Sequence, residues 1–381
     1  MQAKNNKFAK YFNPFRLLFN SFFATLSIIF VALFIASAYS DHISPTENIL
    51  FAYLGLAFPV FLIANVILLI YWLVTRKWFF VILFVITFAV CWAPISNYYP
   101  LHFKTKAVPE ESAIKVLSYN VMSFAYKGHT KQSPNPIIQY IAHSDADIVC
   151  LQEYMVSTRE NLMSSKDVAD ALHMYPYFVE ITFSPQSNKR YKYGLAVLSK
   201  YPVTNSKHIK FPSSTYNGAS MHTINVKGRK ILLVNNHLES FKLTAEDRSK
   251  YSNVITSMSF ESFDEFSGSI QQKLGHAFKI RAKQAEQIAD EIKKEGCPYT
   301  LVCGDFNDTP ISFAHRKIQG DLSDAFAETG CGAGTSYNQN LFLFRIDNIF
   351  HSANLEAYKC TIDRSVKLSD HYPIYCYFKI L

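Results

Sequence analysis

The chain has 381 residues, with 38 Lys and Arg against 30 Asp and Glu and a formal net charge of +8 at pH 7. That length admits one large domain plus an appendage. Six basic and two acidic residues fall within residues 1–103, leaving 32 and 28 beyond; so mild an excess does not imply a nucleic-acid-coating surface and leaves room for a local basic patch.

Three apolar stretches come first: Leu17–Tyr39, Ile49–Val74 and Trp78–Ile95, each about 18 to 26 residues and essentially uncharged. That is the length needed to cross a hydrocarbon core, and too long for a signal-peptide core. Trp72, Trp78, Trp92, Tyr98 and Tyr99 sit near their ends, where interfacial aromatics belong. The expectation is a multi-pass cell-membrane protein whose bilayer partner is engaged by three helices. Lys4, Lys7, Lys10 and Arg16 precede the first span, and Arg76 and Lys77 separate the last two. The positive-inside rule then places the N-terminus in the cytoplasm and everything after Ile95 on the periplasmic or extracellular side.

Residues 96–112, with Pro100 and Pro109, read as a linker, so the division is 1–95 membrane anchor, 96–112 linker and 113–381 catalytic domain. Strand-like runs follow at Ile114–Tyr119, Ile148–Gln152, Gly194–Leu198, Met221–Val226, Lys230–Asn235, Thr300–Cys303, Arg345–Phe350 and Tyr372–Lys379. Helices are expected at Pro136–His143, Ser164–His173 and, most clearly, Phe278–Lys294, which stops at Gly296 and Pro298. Phe241–Gly275 is polar and Ser-rich, a surface insertion or a substrate-facing or membrane-contacting lid; Phe260, Phe263 and Phe266 recur at helical spacing within it. The seven cysteines have neither metal-ligand spacing nor a paired framework. Cys150, Cys303 and Cys376 read as small core residues, and no pairing among Cys297, Cys331 and Cys360 is selected.

Several strands end in polar residues of a narrow type. The first runs into Asn120, the second into Glu153 and Lys230–Asn235 into His237; Thr300–Cys303 leads into Gly304-Asp305-Phe306-Asn307. Asp347 follows Arg345-Ile346, and Asp370-His371 follows Leu368-Ser369. Period-2 alternation points Asp305 and Asn307 the same way. If the strand ends converge on one rim, they form a pocket of carboxylates, amides and two imidazoles. An oxygen-rich site without thiolates favours Mg²⁺ or Mn²⁺ over Zn²⁺.

These motifs, together with Tyr193-Gly194-Leu195-Ala196-Val197-Leu198-Ser199-Lys200-Tyr201-Pro202, occur in an order that resembles the endonuclease/exonuclease/phosphatase superfamily. The resemblance covers about residues 113 to 381 and leaves the apolar stretches as an added anchor. It implies an α/β fold: a four-layer α/β sandwich of two packed mixed sheets, here preceded by a helical membrane anchor. It also implies roles. Glu153 resembles the principal Mg²⁺ ligand, with Asn120 and Asp370 close to the metal or phosphate. Asp305 would orient the attacking water, and Asn307, with Asn120 and His237, would bind substrate. His371, held by Asp347, is similar to the family's catalytic histidine; it takes the water's proton or stabilises the pentacovalent transition state. His237 fits a general acid for the leaving alkoxide. Deoxyribonuclease-like, sphingomyelinase-like and inositol-phosphatase-like members carry His at that point, whereas the apurinic-site repair nucleases usually place Tyr nearby, which disfavours DNA repair.

The leading expectation is therefore a membrane-anchored Mg²⁺-dependent phosphodiesterase acting on lipid head groups, sphingomyelinase-like or phospholipase C-like. A linker of this length, at roughly 3.3 Å per residue, keeps the domain within about 60 Å of the bilayer. The alternative is an extracytoplasmic nuclease for DNA or RNA, with Lys189, Arg190 and Lys192 beside Tyr191 and Tyr193 to grip phosphates. A catalytically inactive tethered binding module is the third reading. No protein partner is inferred.

Overall fold

The computed structural model describes residues 14–109, 112–130, 132–159, 163–183, 190–212, 216–242, 244, 246–247, 249, 260–339 and 343–381. Lys4, Lys7, Lys10 and Lys189 lie outside the described residues, as do the side chains of Arg16, Phe260, Phe263 and Phe266.

Five helices come first: α1 (Pro14–Ala38), α2 (Ile49–Leu56), α3 (Phe58–Val74), α4 (Trp78–Val90) and α5 (Trp92–Tyr98). Two prolines explain why three apolar stretches become five. Proline has no N–H for the carbonyl four residues back, and its ring collides with that carbonyl. Pro59 accordingly separates α2 from α3 at Ala57, and Pro94 breaks the last stretch at Cys91, where α4 and α5 meet at 62°. The Val90 carbonyl, which Pro94 leaves without its helical donor, instead accepts the Tyr39 hydroxyl at 2.6 Å. Among the described residues, two helices are long and apolar enough to cross a membrane, Leu18–Ala38 and Phe58–Thr75, and a third if the bent pair counts as one span. The stretch Ile49–Val74 is thus not one helix; its first part, α2, packs on the domain that follows. The bundle closes at its far end through Trp72, stacked on Phe80 and donating to Ser27 Oγ at 2.8 Å.

Beyond the linker the strands are β1 (Ala113–Asn120), β2 (Ile148–Ser157), β3 (Tyr177–Thr182), β4 (Tyr191–Ser199), β5 (Val203–Lys210), β6 (Gly218–Val226), β7 (Arg229–His237), β8 (Thr300–Asp305), β9 (Ser323–Asp324), β10 (Asp347–His351), β11 (Leu355–Ile362) and β12 (Ile374–Ile380). They form two sheets, ordered β11-β12-β1-β2-β4-β3 and β5-β6-β7-β8-β10-β9. Each sheet is mixed: β1 and β2 are parallel, as are β7 and β8, and the other pairings are antiparallel. Helices α6 (Pro136–His143) and α7 (Ser165–Ala171) cover one sheet; α8 (Phe260–Glu295) and α9 (Phe313–Gln319) cover the other. The result is the four-layer α/β sandwich.

The central strands read as unbroken apolar runs because both of their faces are buried. Val116, Ile148 and Cys150 meet Leu233, Leu301 and Cys303 between the sheets, while Leu117, Val149 and Val302 face the covering helices. All seven cysteines are free thiols. Gln152 Nε2 donates across the inter-sheet layer to Asn235 Oδ1 at 2.7 Å and to Ser118 Oγ at 3.1 Å. This polar bridge holds the two sheets together just below the rim where the strand-end motifs emerge.

Three details differ from the sequence expectation. Arg345 and Ile346 precede β10 instead of belonging to it. The helix expected from Phe278 begins at Phe260, which makes much of the presumed insertion helical. β3, β5 and β11 had no clear run: β3 and β5 are half-exposed and mixed in polarity, and β11 carries a bulge.

Candidate active site

The parallel pairs β1/β2 and β7/β8 end on the same rim, and this brings the motifs together. On the first sheet Asn120 lies opposite Gln152, and a bulge after Leu151, with Glu153 at φ 49°, turns Glu153 onto the rim. On the second sheet His237, Asp305 and Asp347 lie side by side on adjacent strands, with Asp305 between the other two. Gly304 makes this spacing achievable. A Cβ there would stand 2.0 Å from the Asn236 carbonyl oxygen, and the φ of 142° is itself one that L side chains rarely adopt.

Asp305 is the hub. Its Oδ2 takes the Asn120 amide at 3.0 Å and lies 3.7 Å from His237 Nε2 and 3.6 Å from His371 Nε2. Its Oδ1 accepts the Asn307 backbone N–H at 2.8 Å, which fixes the carboxylate plane. The same Asn120 amide reaches Glu153 Oε1 at 3.2 Å, and His237 Nε2 is 3.7 Å from that oxygen. Asp347 Oδ2 pairs with His371 Nδ1 at 2.8 Å. Ser336 Oγ accepts the backbone N–H groups of Ile346 and Asp347, and Tyr337 packs edge-on against the His371 ring at 5.1 Å. Ser369 Oγ donates to the Asn120 carbonyl, which ties the Asp370-His371 turn to β1.

Burial decides the charges. Asp305 is 1% exposed, and its pKa is pushed up to about 6, by burial first, with the Asp347 charge adding and both imidazoles opposing. Burial and the Asp370 charge also raise Glu153. The two histidines part company. Burial pushes His237 down, whereas at His371 the carboxylates of Asp347 and Asp305 overcome burial and hold the pKa well above the usual imidazole value.

The donor set fits a divalent cation. Among the described residues no Lys or Arg pairs with Glu153, Asp305, Asp347 or Asp370, and Asp347 Oδ1 is buried with no hydrogen-bond donor. The carboxylates outnumber the one imidazole held protonated, and a cation would offset the charge that is left. Single ligand atoms of Asp305, Asp347 and His371 lie within 4.8 Å of one another. Thiolates are absent from this rim, as a hard cation requires.

The site opens into a cavity of about 200 Å³. Glu153, Asp305, Asn307, Asp370 and His371 line it, whereas Asn120 is fully buried beneath, with its amide spent on the two carboxylates. The remaining wall consists of Ser240, Phe241, Lys242, Tyr337, Phe344 and Ile346.

A family model described as Endonuclease/Exonuclease/phosphatase family matches residues 117–371, the span that carries every one of these side chains. The chain belongs to this family. Members of the endonuclease/exonuclease/phosphatase family are generally metal-dependent phosphoester hydrolases, in keeping with the buried Asp-Asp-His group. A second model, a domain of unknown function (DUF8431), matches residues 20–98, which are the apolar helices. Among solved structures, an endonuclease/exonuclease/phosphatase from Beutenbergia cavernae DSM 12333 shares the fold, at 15% identity and a TM-score of 0.50, over 71% of this chain and 72% of its own. The human Nocturnin catalytic domain with bound sulfate is similar at 18% identity and a TM-score of 0.49, over 71% and 95% of the two chains. A beta toxin from Staphylococcus aureus is similar at 18% identity and a TM-score of 0.45, over 69% and 99%. No curated protein sequence matches the chain.

Sequence reading passed over the aromatic wall and its support. Arg281 on α8 is fully buried, donates to Asp308 Oδ2 at 2.9 Å and to the Glu239 carbonyl at 2.8 Å, and lies over the Phe241 ring. It thereby braces both the turn after Asn307 and the segment that carries Phe241. Asp308 abuts the Gly-Asp-Phe-Asn motif, and that adjacency is the one sequence signal that would have drawn attention to it.

Proposed function

We propose that this protein is a membrane-anchored, Mg²⁺-dependent phosphodiesterase that hydrolyses lipid head-group phosphoesters by in-line attack of water. The observation that carries this reading is the convergence of Asn120, Glu153, His237, Asp305, Asn307, Asp347 and Asp370-His371 on one rim around Asp305. The chemistry a divalent cation would supply among these carboxylates is neutralisation of the charge that grows on the phosphoryl and leaving oxygens. Glu153 and Asp370, with Asn120 beneath them, would hold the cation, beside the Asp305, Asp347 and His371 group.

Asp305, its plane fixed by the Asn307 N–H, orients the attacking water, and its Oδ2 stands 3.6 and 3.7 Å from the two imidazoles. His371, held by Asp347, presents Nε2 to the same point and favours the charge of the pentacovalent state. Asn307 donates one amide hydrogen to the Leu238 carbonyl at 2.9 Å and keeps the other for a phosphoryl oxygen. His237 lies across Asp305 from His371 and serves the leaving alkoxide.

The lipid reading draws on Phe241, Tyr337, Phe344 and Ile346, an apolar wall beside the carboxylates, and on the apolar helices packed against the same domain. With Lys4, Lys7, Lys10 and Arg16 before the first apolar stretch and Arg76 and Lys77 between α3 and α4, the catalytic domain stands on the periplasmic or extracellular side. The nuclease reading has one observation in its favour: a separate groove lined by Tyr126, Lys127, Arg159, Arg190 and Tyr191. Lys192, from the same basic run, is engaged by Glu180 at 3.3 Å.

The full chain in detergent, assayed with Mg²⁺ on sphingomyelin, phosphatidylcholine and plasmid DNA, separates these readings. Lipid turnover without nicking is expected. Nicking without lipid turnover sinks the lipid reading, and activity that survives Asp305→Ala sinks the site.

A further inference from the structure

The ends of the apolar helices are embedded in the catalytic domain, and the place where they enter is the loop that carries Asp305 and Asn307. Ile311 lies four residues after Asn307, is 2% exposed, and packs with Phe34 of α1, Phe58 of α3 and Tyr98 of α5. α2 closes the contact from the side. A Cβ at Gly55 would stand 2.4 Å from the Ile311 carbonyl oxygen. Asn97, on α5, donates its amide to the Pro310 carbonyl at 3.3 Å.

Two further ties reach the same rim. Arg345, two residues before Asp347, donates to the Asn97 carbonyl at 2.9 Å. Tyr53 on α2 donates to the Gln271 carbonyl at 2.6 Å and meets Phe278 edge-on at 5.6 Å; Arg281, which holds Asp308, lies 5.0 Å from the Phe278 ring. The Asp305–Ile311 loop is therefore held by the anchor directly at Pro310 and Ile311 and indirectly at Asp308.

We infer that the helix ends form a socket that positions the catalytic loop, so that the anchor is a working part of the active site as well as a tether. The role given to that loop rests on the phosphodiesterase reading; the contact itself does not. Gly55, Asn97 and Ile311 are positioning residues, acting through the backbone of Asp305–Asp308. A small displacement of a group that orients water is enough to cost rate.

The test is Gly55→Ala in the full chain reconstituted in phospholipid nanodiscs. Alanine favours the helix over glycine, so α2 is retained while its new methyl group wedges against Ile311. The first readout is amide hydrogen exchange over residues 303–312, which needs no turnover; the expected result is exchange accelerated about tenfold there, with β1 unchanged. The second is hydrolysis of bis(p-nitrophenyl) phosphate, a diester that needs no membrane; kcat is expected to fall about tenfold or more with KM little changed. Ile63→Ala, at an exposed position on α3, is expected to leave both readouts at the wild-type level. A Gly55→Ala protein with unaltered exchange and unaltered kcat overturns the socket. Should the substitution also loosen β1, Asn97→Ala decides by the same readouts, since it removes only the bond to Pro310. If the wild-type protein cleaves no phosphodiester, the functional reading fails, and the exchange result still settles whether the helices hold the loop.

Discussion

His371 Nδ1 and Asp347 Oδ2 are 2.8 Å apart and both nearly sealed from solvent. A carboxylate in that position fixes the tautomer and orientation of the ring and favours its protonated form. Asp347→Asn keeps the shape and removes the charge. The expected outcome is a fall in kcat of roughly 10²- to 10⁴-fold with KM and melting temperature close to wild type. Steady-state kinetics on a soluble phosphodiester checks it, and an unchanged kcat would remove the pair from the chemistry.

Glu153→Gln retains the bulged backbone and takes away one negative charge. Divalent-cation affinity should fall by roughly 10- to 100-fold, read by calorimetric titration of Mn²⁺. Chelation of the wild-type protein should abolish hydrolysis, and either Mg²⁺ or Mn²⁺ should restore it. Wild-type affinity in the Gln variant would move the cation away from Glu153.

The Gln152–Asn235 bridge is buried and joins the two sheets. Gln152→Leu leaves Asn235 Oδ1 facing an apolar group, at an expected cost of about 1–3 kcal/mol, read from chemical unfolding. A neutral result would mean that the sheets are held by apolar packing alone.

His222 on β6 is 1% exposed, with Nδ1 2.8 Å from Ser206 Oγ, and burial pushes its pKa down to about 4. The unfolded chain takes up this proton near pH 6.5, whereas the folded chain does not until about pH 4. The contribution of neutral His222 is therefore complete above pH 6.5 and is lost as the pH falls towards 4, amounting to roughly 3 kcal/mol. His222→Gln should flatten the stability profile over that window. A variant with the wild-type slope would assign the acid sensitivity to another group.

Arg345 is fully buried and donates to Asp324 Oδ2 at 2.7 Å. Although burial works the other way, Arg345 and His315 hold the Asp324 carboxyl well below the usual carboxylate range. Arg345→Leu takes the guanidinium from that carboxylate and leaves it with His315 and two backbone N–H groups, and a loss of about 3–5 kcal/mol is expected in thermal unfolding.

How far the sequence could be read depended on how local the signal was. Asn120, His237 and Asp305 close their strands, Glu153 follows the apolar half of β2, and Asp347 opens β10; each stands where an apolar run meets a functional group, so chain order alone exposes them. Phe241, Lys242 and Arg281 give no such mark. Phe241 and Lys242 sit in an irregular polar segment, and Arg281 occupies a helix on which a buried arginine is indistinguishable by spacing from a solvated one. The apolar stretches were legible by composition, but their breaks were not, because hydropathy does not register the carbonyls that Pro59 and Pro94 leave without donors.

Gly304 carries no functional group, yet its place against Asn236 brings Asp305 and His237 to adjacent strand ends. A chain drifting in sequence can exchange Phe306 for another apolar residue of similar size. Position 304 admits no side chain at all, because any Cβ there would force β7 and β8 apart. Within Gly-Asp-Phe-Asn, the residue with the least chemistry has the least freedom to vary.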